Sequence, residues 1–162
     1  MCLQGVGERK LRSLNGKTVR KIELCEAEYR NLIMAALEAR NTVYAPYSHY
    51  HVGAALLTDS GKVYKGCNIE NASYGATNCA ERTALFKAVS EGERHFRAIA
   101  IAGGLRDSVP TEYAFPCGIC RQVMAEFASD DFQIIVAKSS DDYKCFSLAE
   151  LLPEGFGGAL IR

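Results

Sequence analysis

The chain has 162 residues, of which 48% are hydrophobic and 23% charged, a profile typical of a single globular domain with its own core. It contains no apolar run long enough to cross a bilayer, and its first residues lack a secretory signal, so we expect a cytoplasmic protein without a membrane partner. The net charge is zero, but residues 1–21 carry six basic residues and one acidic residue. We expect residues 1–21 to be a mobile basic extension and residues 22–162 to be an acidic domain that does not bind nucleic acid.

The first half of the domain predicts a helix, a hairpin and a second helix. Residues 22–44 keep helical spacing of apolar side chains without an interior Pro or Gly. Residues 51–58 and 62–67 read as two strands joined by a tight turn. A polar loop over residues 68–78 then leads into a helix over residues 79–90.

The second half continues the alternation of strands and helices. Apolar runs over residues 97–103 and 133–138 predict two buried strands, and a helix is expected between them over residues 117–128. Ser147 stands three residues before a Glu, which is a helix-start signature, and Pro153 ends that short helix. Alternating helices and strands predict an α/β fold in which helices cover a mixed sheet.

Two short motifs place three of the seven cysteines at the predicted starts of helices. They are residues 78–82 (NCAER) and 116–120 (PCGIC). Cys117 and Cys120 are three apart, so a helical turn brings their sulfurs to the same side, where one Zn²⁺ can bind both. Cys79 supplies a third thiolate. A structural zinc normally has four protein ligands, whereas three ligands and an open position for water indicate catalysis.

Glu81 and Arg82 complete this predicted site. Glu81 is two residues from Cys79, so it points away from the ligand direction and suits proton transfer better than coordination. Three thiolates around Zn²⁺ leave an excess of negative charge. Arg82, together with the two helix N-termini, can offset that excess beside the Cys79 sulfur.

The cysteine motifs also fit two other kinds of site, a redox pair and a structural zinc site. A CxxC pair also marks redox sites, although a redox pair would need neither Cys79 nor Glu81. A zinc-stabilised binding module without catalysis would close the site with a fourth ligand, for which Cys67 or a histidine is available.

With these motifs the sequence resembles the cytidine deaminase family, in particular its small homotetrameric members. The resemblance covers about residues 22–156 and includes the segments 47–55, 66–72, 79–84 and 116–122. It implies a three-layer α/β/α fold with a mixed sheet of about five strands, and one Zn²⁺ per subunit. It further implies hydrolysis of cytidine and 2′-deoxycytidine to uridine and 2′-deoxyuridine in pyrimidine salvage, with the deaminase domain over residues 22–162.

The resemblance also implies roles for substrate-binding residues. Asn68 and Glu70 would hydrogen-bond the ribose hydroxyls, Tyr50 stands where the family usually has a Phe against the pyrimidine, and the backbone near Ala80 would contact the ring. Two further aromatic residues would complete sites in neighbouring subunits of a homotetramer: Tyr74 and Phe156.

Two alternative substrates keep the zinc chemistry. One is a nucleoside-like antibiotic such as blasticidin S, against which the Asn68 and Glu70 pair favours a simple nucleoside. The other is RNA or DNA, which the acidic body of the chain disfavours.

Overall fold

Five strands form one mixed sheet in the computed structural model, which describes residues 24–129 and 132–157. The strands are β1 (Tyr50–Thr58), β2 (Val63–Cys67), β3 (Phe96–Leu105), β4 (Gln133–Ala137) and β5 (Tyr143–Ser147). Their order in the sheet is β2-β1-β3-β4-β5. Only β3 and β4 pair in parallel, and the other neighbours are antiparallel.

Helices cover both faces of this sheet. They are α1 (Glu26–Ala39), α2 (Ala80–Ser90), α3 (Gly118–Phe127) and the short α4 (Leu148–Leu151), with 3₁₀ turns at Arg40–Thr42 and Tyr74–Ala76. None of the helices within the described residues is long and apolar enough to cross a membrane. The predicted α/β fold with three layers and a mixed sheet of five strands is therefore confirmed.

The strand pattern explains why two separate cores form. Alternate residues of a strand point to opposite faces of the sheet. On one face, Ile33 of α1 packs with Ala100 and Ile135. On the other face, Leu85 of α2 and Met124 of α3 pack with neighbouring residues of the same strands. The apolar runs of β3 and β4 are therefore buried on both sides, as their sequences predict.

Two glycines allow the helices to lie directly on the sheet. A Cβ atom at Gly66 of β2 would overlap the backbone of Ala80 and Ala84 in α2. A Cβ atom at Gly53 of β1 would likewise overlap the carbonyl oxygen of Ala36 in α1. The position of α2 above β2 therefore depends on the absence of a side chain at Gly66.

The first helix is shorter than the sequence predicts. Residues 22–23 lie outside the described residues, and α1 begins only after Cys25, whose backbone N–H donates to Glu28 Oε2 at 2.8 Å. At its other end α1 tightens into a 3₁₀ turn, where Thr42 Oγ1 donates to the Ala39 carbonyl at 3.0 Å. Both ends are fixed by side chain–backbone hydrogen bonds, which the apolar periodicity does not encode.

Strand β5 was not predicted from its own sequence. It lies at the edge of the sheet, pairs only with β4 and is mostly half-buried or exposed, so it has no apolar run. The helix start that follows it is as predicted. Ser147 Oγ accepts from the Glu150 N–H at 3.3 Å, and Glu150 Oε2 accepts from the Ser147 N–H at 2.7 Å.

Substitution of Gly66 by Ala is expected to destabilise the fold. The added methyl group forces α2 away from β2, which should cost about 1–3 kcal/mol and lower the melting temperature by roughly 3–10 °C. Gly75→Ala is the matched control, because a Cβ atom there has open space around it. Thermal unfolding of both variants would measure the difference, and an equal effect of the two would contradict the role of Gly66.

Candidate active site

Three cysteine sulfurs converge where α2 and α3 begin. Cys79 is the N-cap of α2 and Cys117 the N-cap of α3, while Cys120 lies one turn into α3. The sulfur of Cys117 is 3.9 Å from that of Cys79 and 3.4 Å from that of Cys120, and all three lie within 4.8 Å of one another. Tetrahedral Zn–S bonds of about 2.3 Å require sulfurs about 3.8 Å apart, so the three cysteines fit one zinc ion.

No fourth ligand joins this cluster from the part of the chain that the structure describes. Cys67, one candidate for closing the site, instead points its thiol at the Thr42 carbonyl, 3.4 Å away. His51, another candidate, has its Nδ1 atom 3.2 Å from the Arg40 carbonyl. The geometry therefore favours three protein ligands over a closed four-ligand site.

The surroundings of Cys79 favour its thiolate form. Hydrogen bonds from Cys120, and secondarily from Arg82 and Cys117, lower the pKa of Cys79 to about 5, although partial burial opposes that change. The pKa of Cys120 is raised, because it shares its hydrogen with Cys79 and is buried near Glu81. The free N–H groups at the two helix N-termini also favour negative charge at this point. This donor set matches what a zinc ion requires.

Arg82 lies beside the sulfur cluster, at the position that its sequence neighbours predict. Its Nη2 atom donates to the Thr77 carbonyl at 3.1 Å and lies 3.7 Å from the Cys79 sulfur. Its Nε atom is buried and has no hydrogen-bond partner among the described residues. The guanidinium therefore brings a fixed positive charge to the thiolates, held in place by a backbone carbonyl.

Glu81 is a buried carboxyl group in the first turn of α2, only 4% exposed. The pKa of Glu81 is raised to about 7, chiefly by burial and in part by the nearby negative charge of Cys79, while the N–H of Glu81 itself partly opposes the rise. A carboxyl group with such a pKa exchanges a proton readily near neutral pH. Its position beside the cysteines is the arrangement expected of a general acid and base.

Asn68 connects the start of β1 to the loop that follows β2. Its Oδ1 atom accepts from the Val52 N–H at 2.8 Å, and its Nδ2 atom donates to the Tyr50 carbonyl at 2.9 Å. One hydrogen and one lone pair of the amide remain for another partner. The ribose contact stays a prediction, and the structure adds that the amide orients β1.

Glu70 is held by the backbone of the turn before β1. Its Oε2 atom accepts from the N–H groups of Tyr47 at 2.8 Å and Ser48 at 3.2 Å. Hydrogen bonding to Ser48 and Tyr47 lowers the pKa of Glu70, so this carboxylate stays ionised. The Glu70 N–H in turn donates to the Tyr44 carbonyl at 2.7 Å. The Glu70 carboxylate is therefore held in one orientation, and its contact with the ribose stays a prediction.

Tyr50 lies at the end of the sheet that carries the loop to Cys117. A Cβ atom at Gly103 would meet Tyr50 Cε1 at 3.1 Å and would overlap the Ala114 side chain, so this glycine leaves room for both. Ala114 is three residues before Cys117. Ala80, whose backbone the resemblance assigns to the pyrimidine, is fully buried as the first residue of α2.

Tyr74 and Phe156 are exposed at the surface, by 76% and 59% respectively. The Tyr74 ring makes an edge contact with the Tyr47 ring at a centroid distance of 6.0 Å. The Phe156 carbonyl accepts from Gln122 Nε2 at 2.9 Å, which attaches the C-terminal segment to α3. Both side chains are therefore largely exposed in the part of the chain that the structure describes, and their roles in neighbouring subunits stay predictions.

No sequence pattern indicates the residues that hold the loop before Cys117. Tyr113 donates a hydrogen bond to Asp142, and its ring lies under Lys138 Nζ at 4.6 Å and Lys144 Nζ at 4.4 Å. The two lysines and the aspartate are about 30 positions away along the chain, so only the fold brings them together. Arg121 also donates to the Pro116 carbonyl at 2.8 Å.

Comparison with known proteins agrees with this geometry. Residues 27–136 match the family described as the cytidine and deoxycytidylate deaminase zinc-binding region. The chain is 51% identical over 125 residues to the cytidine deaminase of Halalkalibacterium halodurans, covering 77% of this chain and 91% of that protein. The crystal structure of cytidine deaminase from Burkholderia pseudomallei superposes with a TM-score of 0.71 at 48% identity, covering 78% and 97% of the two chains.

A more distant relative is the blasticidin-S deaminase of Bacillus cereus. It is 35% identical over 107 residues, covering 64% of this chain and 76% of that protein. The family match spans both cysteine motifs, the buried Glu81 and most of the sheet. The chain therefore belongs to the cytidine and deoxycytidylate deaminase family, and its cofactor is zinc.

Proposed function

We propose that this chain hydrolyses the 4-amino group of cytidine and 2′-deoxycytidine, forming uridine and 2′-deoxyuridine with release of ammonia, in pyrimidine salvage. The observation that carries the proposal is the buried Glu81 beside the three-sulfur cluster of Cys79, Cys117 and Cys120. The two named cytidine deaminases align with 77% and 78% of this chain and with 91% and 97% of their own length, and the solved one has the same fold, which supports the same substrate class.

In this reaction Glu81 is the group that moves protons. When bound, zinc supplies a Lewis acid that lowers the pKa of water enough for attack on carbon at neutral pH. Glu81 accepts a proton from the attacking water as its oxygen bonds to C4, and passes that proton to N3 of the pyrimidine. The new hydroxyl on C4 then gives its proton through the same carboxyl to the amino group, so the C4–N bond breaks, ammonia leaves and the C4 carbonyl forms. Its burial supports both steps, because a pKa near 7 lets it act as base and then as acid.

The substrate nucleoside is oriented by the residues around the start of β1. The Glu70 carboxylate accepts hydrogen bonds from the ribose hydroxyls. The remaining hydrogen and lone pair of the Asn68 amide donate to and accept from the same hydroxyls. The Tyr50 ring packs against the pyrimidine, and the backbone at Ala80 contacts the ring edge. The backbone hydrogen bonds that hold Asn68 and Glu70 support this role, because a preorganised site loses little entropy on binding.

We further propose a homotetramer in the cytoplasm, in which neighbouring subunits complete each site. The exposure of Tyr74 and Phe156 supports this arrangement, since large aromatic rings are commonly covered at interfaces. A reducing compartment is supported by the chemistry of the cluster, because the three cysteines must remain thiolates to bind zinc.

A second candidate substrate is blasticidin S, which the relative from Bacillus cereus favours. The carboxylate of Glu70 and the amide of Asn68 are arranged to bind sugar hydroxyls, which supports cytidine as the better substrate. Turnover of blasticidin S faster than cytidine by the zinc-loaded protein would reverse the order of the two candidates.

Glu81→Gln is expected to lose cytidine turnover by about 10²–10⁴-fold, because the amide cannot transfer protons. Zinc content, measured by metal analysis, should be unchanged because Glu81 is not a ligand. Glu38→Gln is the matched control, since Glu38 is an exposed carboxylate on α1. A Glu81→Gln protein that keeps both its zinc and full turnover would contradict the mechanism.

Glu70→Gln is expected to raise the KM for cytidine about 10–100-fold with a smaller change in kcat, because a charged hydrogen bond to the sugar is lost. The steady-state comparison should be repeated with 2′,3′-dideoxycytidine, which lacks the 2′- and 3′-hydroxyls of the ribose. For that substrate the effect of the substitution should nearly vanish. An equal loss with both substrates would mean that Glu70 acts only through the turn at Tyr47 and Ser48.

Phe156→Ala is expected to lower cytidine turnover at least tenfold while the protein keeps its mass in light scattering, if a neighbouring subunit supplies this ring. Co-expression with Glu81→Gln should then recover activity, because mixed tetramers contain sites with an intact Glu81 and a neighbour's intact Phe156. A monomeric mass for the parent protein, or no recovery in the mixture, would rule out shared sites.

A further inference from the structure

A second cleft lies apart from the cysteine cluster. It has a volume of about 830 Å³ and lies between the C-terminal end of α1 and the segments that follow β3 and β4. None of the three cysteines lines it, and neither do Asn68, Glu70 or Tyr50. Its volume is within the range of about 300–1,000 Å³ that small-molecule sites occupy.

The cleft is at the carboxyl ends of the parallel strand pair. Arg106 follows the last residue of β3, and Lys138 follows the last residue of β4. Both residues line the cleft. In open α/β sheets, ligands characteristically bind in the crevice outside the carboxyl ends of the strands. The position of this cleft therefore agrees with a binding role.

Arg40 places a fixed, uncompensated positive charge in this cleft. Its Nε atom donates to the His51 carbonyl at 3.1 Å, and its Nη2 atom donates to the carbonyls of Leu105 at 3.2 Å and Ser108 at 3.0 Å. The guanidinium is thus immobilised by three neutral acceptors, and it forms no ion pair with a carboxylate of residues 24–129 or 132–157. Partial burial lowers the pKa of Arg40, as expected for a charge that lacks a counterion.

Two more cations, Arg106 and Lys138, line the cleft together with Arg40. Arg106 is 65% exposed, and its Nε atom lies 3.4 Å from Oδ2 of Asp107. Asp107 is the single carboxylate among the lining residues. Lys138 lines the cleft and pairs with Asp142 at 2.7 Å. The lining therefore has three cations and one carboxylate, and Arg40 is the cation that forms no ion pair with any residue the structure describes.

Backbone strain is concentrated in the walls of the cleft. His49 and Asp107 have φ angles of 55° and 56°, in the left-handed region that non-glycine residues rarely adopt. Both residues line the cleft, and the Arg106 N–H joins the two walls by donating to the His49 carbonyl at 2.8 Å. Strained residues of this kind cluster at functional sites.

The remaining wall is apolar. Val43, Tyr44 and Val109 line it, and Tyr44 and Val109 are exposed to solvent. An exposed aromatic ring beside fixed cations suits a ligand with one anionic end and one flat or apolar end.

From these observations we infer that the cleft binds a phosphorylated small molecule of about nucleotide size. Its phosphate group lies against the Arg40 guanidinium and receives a second contact from Arg106. Its apolar part packs on Tyr44 and Val109. The site is separate from the deaminase centre, so it does not depend on the proposed function.

The test measures binding by isothermal titration calorimetry of the zinc-loaded full chain. The probes are adenosine 5′-monophosphate, ribose 5-phosphate and pyrophosphate, with adenosine as the uncharged comparison. At least one phosphorylated probe should bind with a Kd below about 1 mM, more weakly at higher salt because the contacts are charged. Adenosine should bind at least tenfold more weakly than its monophosphate.

Arg106→Ala is the test variant, because Arg40 holds β1 to the end of β3 and its loss would disturb the fold. It should weaken binding of the phosphorylated probe at least fivefold. Lys62→Ala is the matched control, since Lys62 is 63% exposed, pairs with one carboxylate at 3.2 Å, and lies at the opposite end of β1. The control should change the affinity less than twofold.

Three results would overturn the inference. They are the absence of binding by all three phosphorylated probes at millimolar concentration, an equal loss of affinity in Arg106→Ala and Lys62→Ala, and equal affinity for adenosine and its monophosphate. Cytidine turnover enters none of these measurements, so failure of the deaminase proposal would leave the binding test intact.

Discussion

The close packing of α2 on β2 is the constraint on which the active site depends. Because Gly66 has no side chain, the backbone of α2 at Ala80 and Ala84 lies directly on the strand. This contact fixes where α2 begins, and therefore where Cys79 and Glu81 lie. The start of α3 meets it on the same face of the sheet, so two helix N-termini converge on one point. A metal centre built from helix ends requires this kind of rigid support.

The three converging thiolates concentrate negative charge, and the surrounding groups stabilise it. The hydrogen bond from Cys120, together with Arg82, stabilises the Cys79 thiolate, which explains why the pKa of Cys79 is low despite partial burial. The two helix N-termini also favour negative charge at this point. The same negative charge, together with burial, raises the pKa of Glu81. The cysteine cluster and Glu81 are therefore coupled, because the negative charge that suits a metal also raises the pKa of the buried carboxyl group.

The metal centre could be predicted from the sequence because its chemistry is encoded in short spacings. The interval from Cys117 to Cys120 is about one helical turn, and Glu81 and Arg82 stand two and three residues after Cys79. The alternation of β3 and β4 with helices also gave the fold class. Edge strand β5 and the ends of α1 could not be predicted, because an edge strand lacks an apolar run and side-chain caps set helix ends. Contacts such as that of Tyr113 with Asp142 exist only after folding.

Residues 44–49, which precede β1, contact both Glu70 and the second cleft. On one side, the backbone N–H groups of Tyr47 and Ser48 hold the Glu70 carboxylate in place. On the other side, Tyr44 lines the second cleft, and its carbonyl accepts the Glu70 N–H at 2.7 Å. One hydrogen bond therefore connects a wall of that cleft to Glu70. Any displacement of the Tyr44 backbone must either break this bond or move Glu70, so the rigidity of this segment governs both places at once.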